Sequence, residues 1–315
     1  MYMVNPSRAV THSLKIVLGS MAICALALSS RAALVVNDTW QDADRTDPAA
    51  PTYSENGTDA DSDTDIESAW YQGGVGGLVP TVGNLSMTNG TSSSSFTTYF
   101  TPEASSVTLA NAGDMLKLTW VFTPVGVTAS GTSQGLRFGL VDTPSATRLS
   151  ADGAPGAGAY TGYAMFLNMR SGTLGNGNSF ALMERNTASG NFLGTSADWA
   201  IRTNGATTTT AGYTSGTQYT FVMTLTRNGL GGLDITSSMT GTGLGSTGSL
   251  AVAFTDATPN SFVYDTFGIR PSTQADTATA FDTSLFKVEF IPEPSTLTLA
   301  GAGLVLLLTA IRRRR

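Results

Sequence analysis

Carboxylates alternate along one short stretch of the chain, and their type and spacing suit the binding of a cation. The residues are Asp59, Asp61, Asp63, Asp65 and Glu67. Oxygen ligands at every second position of a loop can converge on one hard cation, because Ca²⁺ takes several oxygens at about 2.3–2.6 Å. The glycine and the closing glutamate of an EF-hand do not fall at their required positions. The run therefore predicts either an irregular calcium site or a solvated acidic loop.

Two aromatic residues, Trp70 and Tyr71, follow this run and precede the pair Gly73-Gly74. Sugar rings present apolar C–H faces that stack on aromatic side chains. Trp70 and Tyr71 are therefore the candidate ligand-binding edge, and core packing is the alternative for each ring.

Residues 1–32 have the pattern of a secretory signal peptide. Arg8, His12 and Lys15 precede an apolar run from Ile16 to Leu28, the order of a basic segment and a hydrophobic segment in such signals. The single histidine and the single cysteine of the chain both lie in this segment. The mature chain then has no disulfide, and its stability must come from a buried core.

Removal of His12 and Cys24 with the signal peptide also limits the kinds of catalysis that the mature chain could perform. Zinc hydrolysis and thiol catalysis lose their usual ligands and nucleophile. Ser133 lies in a Gly-x-Ser-x-Gly pattern, but a serine hydrolase needs a histidine to accept the hydroxyl proton. The sequence therefore predicts a protein without catalytic residues.

Carboxylate chemistry is the remaining catalytic alternative. Glycosidases use two carboxyl groups that flank the scissile bond. Glu184 and Asp198 are the acids in the middle of the chain that would qualify, but Glu184 adjoins Arg185. This adjacency predicts a surface ion pair at Glu184 rather than a catalytic acid.

The charge balance argues against a nucleic-acid partner. Residues 33–291 contain 22 acidic and 10 basic residues, a formal net charge of −12. Ten of the acids lie between Asn37 and Glu67, where Arg45 is the only base. Binding to phosphate backbones requires a basic surface, so this class of partner is excluded.

Residues 33–291 predict an all-β domain. Apolar residues alternate with polar ones in many short segments, as in Leu116–Phe122 and Tyr219–Thr226, and this period indicates half-buried strands. Turn residues separate the segments, which favours a two-sheet antiparallel jelly-roll-like sandwich in a single domain. We expect residues 33–74 to form an acidic, irregular N-terminal part and helices to occur only at the two chain ends.

Four segments give this region a resemblance to concanavalin-like and laminin-G-like jelly rolls. They are Gly113–Phe122, Gly135–Val141, Tyr219–Arg227 and Asp265–Arg270. The resemblance implies the fold and leaves the activity open, because one fold hosts many functions.

The C-terminal residues predict a membrane anchor. Residues 297–311 carry no charge, and four consecutive arginines, Arg312 to Arg315, follow them. Fifteen helical residues span about 22 Å, which is short of a hydrocarbon core of about 30 Å. Snorkelling of the arginines on the cytoplasmic side can accommodate the mismatch.

Pro292, Glu293 and Pro294 directly precede this span, so that residues 292–315 resemble the PEP-CTERM sorting tail. The resemblance implies transient anchoring in the inner membrane, cleavage by an exosortase-like protease, and delivery to the cell surface or the extracellular space. It also implies association with extracellular polysaccharide and biofilm. An ordinary single-span anchor is the alternative interpretation of the tail.

Together these observations predict an exported, non-enzymatic binding or structural component of the extracellular polysaccharide matrix. Its expected partners are the processing protease and either polysaccharide or neighbouring matrix proteins. A carboxylate-dependent carbohydrate-active enzyme and a structural coat protein without a ligand are the two alternatives.

Overall fold

The computed structural model describes residues 32–46, 53–102 and 105–293. Their regular structure consists of strands and two short 3₁₀ turns, Ser145–Thr147 and Ser196–Asp198. The strands are β1 Ala33–Asp38, β2 Trp70–Thr81, β3 Asn84–Tyr99, β4 Val107–Thr108, β5 Met115–Val125, β6 Leu136–Asp142, β7 Thr161–Leu167, β8 Phe180–Arg185, β9 Trp199–Asn204, β10 Tyr219–Arg227, β11 Leu233–Thr240, β12 Ser249–Asp256, β13 Val263–Tyr264, β14 Thr266–Pro271 and β15 Ala280–Ile291. The predicted all-β class is confirmed.

Thirteen of these strands form one antiparallel sheet that folds over on itself. Its order is β12-β11-β10-β5-β15-β3-β14-β6-β7-β8-β9, with β1 added to β15 and β2 added to β3. The long strand β3 pairs with β15 through residues 85–88 and with β14 through residues 96–99. One strand thus belongs to both layers, which closes the sheet into the predicted sandwich.

Aromatic side chains from the two layers meet in the core. Phe138 on β6 lies 4.5 Å from Phe221 on β10 and 5.6 Å from Trp120 on β5, measured between ring centroids. The burial of β5 alternates residue by residue, as the sequence period predicts. In β7, residues 162–167 are buried on both faces. One face, with Tyr163, Met165 and Leu167, belongs to the main core, while Ala164 and Phe166 on the other face pack in a second apolar cluster.

The N-terminal part is more regular than the sequence indicates. Strand β1 pairs with β15, and the apolar run Leu34–Val36 lies in this strand with Val35 and Val36 buried. The expectation that all of residues 33–74 are irregular is therefore corrected, because an apolar run at the start of this segment gains burial by joining the sheet. Residues 39–46 and 53–69 form the loops between β1 and β2.

Residues 32–291 form one compact unit. Among the described residues, no helix has the length and apolarity to span a bilayer. The predicted signal peptide, Pro294, the span 297–311 and the terminal arginines lie outside the described residues.

Two leucines offer a matched test of this core. Leu118 on β5 is fully buried, whereas Leu230 in the β10–β11 turn is 97% exposed. We expect Leu118→Ala to lower the free energy of unfolding by about 2–5 kcal/mol, because it leaves a cavity. Leu230→Ala should change it by less than about 0.5 kcal/mol. Urea unfolding of both variants measures the difference, and equal losses would contradict the described packing.

Candidate cation site

Backbone pairing brings the end of β1 against the acidic loop. The Asn37 N–H donates to the Ile66 carbonyl at 2.8 Å, and the Glu55 N–H donates to the Glu67 carbonyl at 3.1 Å. Asp38, the last residue of β1, consequently lies beside Asp65 and Glu67. The loop therefore folds back onto the sheet rather than extending into solvent.

Within the loop, aspartates hold the backbone in successive tight turns. Asp59 Oδ1 accepts from the Ser62 N–H at 2.6 Å, and Asp63 Oδ1 accepts from the Asp65 N–H at 3.1 Å. Ser62 and Thr64 have φ values of 74° and 90°, in the left-handed region that costs energy for residues with a Cβ. The hydrogen bonds to Asp59 and Asp63 help to maintain this conformation.

Five carboxylates from three parts of the chain meet around Glu67. One group contains Asp38, Asp65 and Glu67, and a second contains Asp42, Asp63 and Glu67, with oxygens inside each group within 4.8 Å of one another. We call these five residues the carboxylate cluster.

The interior of the carboxylate cluster is shielded from water and has no cationic side chain beside it. Asp38, Asp65 and Glu67 are 2%, 1% and 2% exposed. Among the described residues, no lysine or arginine forms an ion pair with any member. Arg45, the base nearest in sequence, binds Asp152 instead at 2.7 Å. Buried carboxyl groups are ordinarily paired, bound to metal or neutralised by protonation, so without a cationic side chain these acids are either protonated or candidates to bind a cation.

Three oxygens in the carboxylate cluster are buried and have no hydrogen-bond donor. They are Asp63 Oδ2, Asp65 Oδ1 and Glu67 Oε2. The second oxygen of Asp65 is fixed by the Thr39 N–H at 2.7 Å and the Thr39 hydroxyl at 3.0 Å. Asp65 is thus held by one oxygen while the other stays free to act as a ligand, the arrangement that orients metal-binding carboxylates.

The electrostatics of the cluster reflect this lack of a counter-charge. Burial, followed by the negative charges of Asp38, Asp42, Asp65 and Asp63, raises the pKa of Glu67 to about 10. Burial and the neighbouring Asp65 raise the pKa of Asp63 to about 6. Burial and the charge of Asp65 also raise the pKa of Asp38 well above its usual range. A bound divalent cation would reverse these shifts, because it stabilises the ionised form of each acid.

The donor set fits calcium better than the common alternatives. All five members of the carboxylate cluster offer carboxylate oxygen, whereas structural zinc prefers cysteine and histidine. Ca²⁺ also accepts irregular geometry and six to eight oxygens, while Mg²⁺ demands a near-ideal octahedron. The carboxylate cluster can therefore hold one Ca²⁺ with help from backbone carbonyls or water.

The predicted acidic run divides between two places in the structure. Asp63, Asp65 and Glu67 enter the carboxylate cluster, while Asp59 and Asp61 form a separate, exposed group with Glu55. Sequence reasoning missed Asp38 and Asp42. The high density of acids from residue 37 onward indicated that further carboxylates could take part, but only residues 59–67 have the alternating spacing on which the prediction was based.

The structure corrects the predicted role of the aromatic pair. Trp70 is fully buried and packs edge-on against Phe286, with ring centroids 5.1 Å apart. Tyr71 is 5% exposed and is covered by Tyr53 and Tyr99. Neither ring presents an open face on which a sugar could stack.

The acids considered for catalysis are held by other side chains. Glu184 is buried, not on the surface, and its Oε2 accepts from the Arg202 guanidinium, with Nε at 2.8 Å. Arg185 instead forms an ion pair with Asp198 at 3.7 Å. Glu184 therefore acts as an internal ion-pair partner, and the predicted pairing with Arg185 is corrected.

Comparison with known families identifies the chain's C-terminal tail. Residues 290–315 match the PEP-CTERM protein-sorting motif, and the motif recognised in the sequence is thereby confirmed. It marks an exported protein that its C-terminal tail anchors before exosortase processing, with the cell surface as the destination. Pro292 and Glu293 follow β15 directly.

Among solved structures, the sandwich is similar to lectin-like domains. The metal-free carbohydrate recognition domain of Emp46p shares 12% identity over 70% of this chain and 87% of that domain, with a TM-score of 0.41. The seed lectin of Lotus tetragonolobus shares 12% identity over 71% of this chain and 94% of its own, with a TM-score of 0.38. Likeness at this level says nothing about a ligand or a metal in this chain. No curated protein matches the chain at a significant level.

The raised pKa values predict how the calcium-free protein responds to pH. A group whose pKa is higher in the folded state stabilises the fold below its unfolded pKa and loses that contribution as pH rises through the folded pKa. Asp63 and Glu67 titrate at about 6 and about 10 in the folded protein. With a chelator present, we expect the melting temperature to fall between about pH 5 and pH 8. Millimolar calcium should abolish most of this fall.

The variant Glu67→Gln supplies the control for this measurement. Glutamine keeps the shape of the side chain and removes its charge, so the pH slope of the chelated protein should become shallower. Other acids with raised pKa, such as Asp142, remain in the variant, and the comparison therefore isolates the contribution of Glu67. A chelated wild type whose melting temperature rises over this interval would contradict the described cluster.

Proposed function

We propose that this chain is an exported, non-enzymatic surface protein whose β-sandwich is completed by Ca²⁺ and which acts as a binding or structural component of the extracellular polysaccharide matrix. The carboxylate cluster is the observation that carries the proposal, since three of its buried oxygens have no hydrogen-bond donor and none of its members has a cationic side chain as partner among the described residues. The sorting motif supports the destination.

Calcium suits both the site and the destination. Extracellular calcium modules bind the ion with dissociation constants of roughly 10⁻⁴–10⁻³ M, which is adequate where the ion is abundant. In the proposed complex, Asp63 Oδ2, Asp65 Oδ1 and Glu67 Oε2 are direct ligands. Asp38 and Asp42 complete the charge around the ion. The role is structural, because the ion would join β1 to the loop that precedes β2.

A non-enzymatic role agrees with the state of the other buried acids. Glu184 is bound by Arg202 and the Asn260 N–H, and Asp256 accepts from the Tyr163 hydroxyl at 2.8 Å. A glycosidase acid and its partner must reach a substrate, whereas Glu184 and Asp256 accept hydrogen bonds from other groups of the domain. A carboxylate-dependent enzyme is therefore the less favoured function.

The proposed mature protein comprises residues 33–291, after removal of the signal peptide and of the tail 292–315. Its partners are the processing protease and then polysaccharide or neighbouring matrix proteins, as the sorting motif implies for this class of protein. A coat protein without a ligand remains the rival, and retention on extracellular polysaccharide distinguishes the two.

Calcium binding is tested by calorimetry on the mature exported protein. We expect the wild type to bind Ca²⁺ and to melt at a higher temperature when the ion is added, because a ligand of the folded state stabilises it. Asp65→Asn and Glu67→Gln should each weaken binding at least about tenfold, since each removes a charged ligand.

Asp61→Asn is the matched control, because Asp61 belongs to the exposed group and not to the carboxylate cluster. Asparagine keeps the Oδ1 that accepts from the Asp63 N–H, so this variant should bind calcium as the wild type does. If Asp61→Asn abolished binding while Glu67→Gln left it intact, the ion would belong to the exposed loop and the proposed site would be wrong. Absence of any heat from the wild type would also refute it.

Processing of the tail is tested by intact mass. Replacement of Pro292, Glu293 and Pro294 by alanine should leave the tail attached in cells that contain an exosortase, because the cleavage signal is removed. The wild-type product should lack residues near the C-terminus, including Arg312 to Arg315. An unmodified chain from such cells would favour an ordinary single-span anchor.

A further inference from the structure

A polar groove of about 250 Å³ lies beside β2, β3 and β14, and none of its lining residues belongs to the carboxylate cluster. Gly73, Gly74 and Ser93 contribute to one part of it, and the loops that contain Ala154 and Asn191 contribute to another. Arg270 of β14 also lines the groove. The groove therefore combines one guanidinium with hydroxyl, amide and backbone groups.

Arg270 is held in place by one hydrogen bond, and the other N–H groups of its guanidinium stay available as donors. Its Nη2 donates to the Ser93 hydroxyl at 2.8 Å, and the side chain is half-buried. An arginine carries five N–H donors in a planar fork. Held from one side by Ser93, Arg270 can offer remaining donors to a molecule in the groove.

A second arginine lies next to it. Arg137 on β6 pairs directly with Arg270 in the sheet register, so both side chains project on the same face. The Arg137 guanidinium donates to the carbonyls of Leu193 and Gly194 at 3.0 and 3.1 Å, and it lies 4.6 Å from the centroid of the Phe166 ring. Arg137 thereby fixes the loop that forms one wall of the groove and adds positive charge beside it.

No acid balances these two charges. Among the described residues, neither Arg137 nor Arg270 has a carboxylate within ion-pair distance, although acids outnumber bases 22 to 10 in residues 33–291. The paired bases are Arg45, Lys117, Arg148, Arg185, Arg202 and Lys287. Burial lowers the pKa of both Arg137 and Arg270, and the charge of Arg270 adds to the effect on Arg137. Two adjacent, partly desolvated cations favour an anion between or above them.

The groove wall also shows close backbone packing that only glycine permits. A Cβ on Gly73 would lie 2.5 Å from the Ala154 nitrogen, and Gly74 has a φ of 79°. These constraints bring β2 against the loop that contains Ala154 and leave the β2 part of the wall without side chains, while Phe192 adds one aromatic ring to another part of the lining. Polar ligands with several hydroxyl groups suit such a wall, since Ser93, Ser95 and Asn191 line it with donors and acceptors.

We propose that this groove binds the carboxylate of an acidic sugar, such as a uronate residue in an extracellular polysaccharide, with Arg270 as the residue that contacts the anion. This inference deepens the proposed function, on which it rests, by naming the class of polysaccharide. Arginine matches a carboxylate in a bidentate geometry, while the hydroxyl and amide groups of the walls recognise the sugar ring.

The test compares a galacturonate trisaccharide with neutral maltotriose and with inorganic sulfate, using calorimetry on the mature exported protein. We expect binding of the uronate sugar to exceed that of maltotriose by at least about tenfold and to weaken as salt is raised. Arg270→Gln should reduce uronate affinity at least about tenfold, and Arg270→Lys should give an intermediate loss because it keeps the charge without the fork.

Lys117→Gln is the charge-matched control, since it removes one positive charge outside the groove, and it should bind as the wild type does. Thermal unfolding of every variant separates loss of binding from loss of the fold. Equal affinity for uronate and neutral sugar, or unchanged affinity in folded Arg270→Gln, would overturn the proposal. Sulfate binding as tight as that of the trisaccharide would also overturn it, because the site would then recognise an anion and not a sugar.

These outcomes are separate from failure of the proposed function. Neutral-sugar binding that survives Arg270→Gln would support a polysaccharide-binding protein while refuting the acidic groove. If the protein were not retained on the extracellular polysaccharide of its own cells, both the proposed polysaccharide binding and the acidic-sugar groove would be refuted.

Discussion

The attachment of the N-terminal part to the sandwich depends on how the five crowded carboxyl groups at the end of β1 are neutralised. If all five groups were ionised, two unit charges about 4 Å apart would repel each other by about 4 kcal/mol at an effective dielectric constant of 20, and the oxygens in each three-residue group lie within 4.8 Å of one another. The raised pKa values of Asp38, Asp63 and Glu67 are the response to this crowding. The members of the carboxylate cluster come from the end of β1, the following turn and the loop before β2. Whatever neutralises the cluster therefore also stabilises the packing of β1 against residues 53–69, so a cation that bound here would be thermodynamically linked to that packing.

The same segment leads directly into the strand that borders the polar groove. Glu67 precedes β2 by three residues, and Gly73 and Gly74 of β2 form part of the groove wall. The acidic carboxylate cluster and the basic groove are thus connected by the short stretch of backbone from Glu67 to Gly73. In the two proposals, the negative N-terminal region would bind a cation and the positive groove would bind an anion, so that one exported domain would use both kinds of charge.

Much of the fold could be predicted from the sequence, because residues in a half-buried strand must alternate. Leu116, Leu118 and Trp120 all face the core as their spacing requires. The membership of the carboxylate cluster could not be predicted, since Asp38 meets Asp65 only through the pairing of Asn37 with Ile66. Whether the rings of Trp70 and Tyr71 are buried or exposed also depends on tertiary packing. Adjacent strand residues point to opposite faces, and the second face happens to be covered by Tyr53 and Tyr99.

Two groups of buried acids in this domain show why burial alone does not identify a cation site. Burial raises the pKa of Glu184 as it does that of Glu67. Glu184, however, is bound by Arg202, and its neighbour Asp256 accepts a hydrogen bond from Tyr163. The oxygens Asp65 Oδ1 and Glu67 Oε2 have no such donor. An unsatisfied buried oxygen costs more than a satisfied one, so the carboxylate cluster, and not the Glu184 pair, is the better candidate to bind an ion from outside the chain.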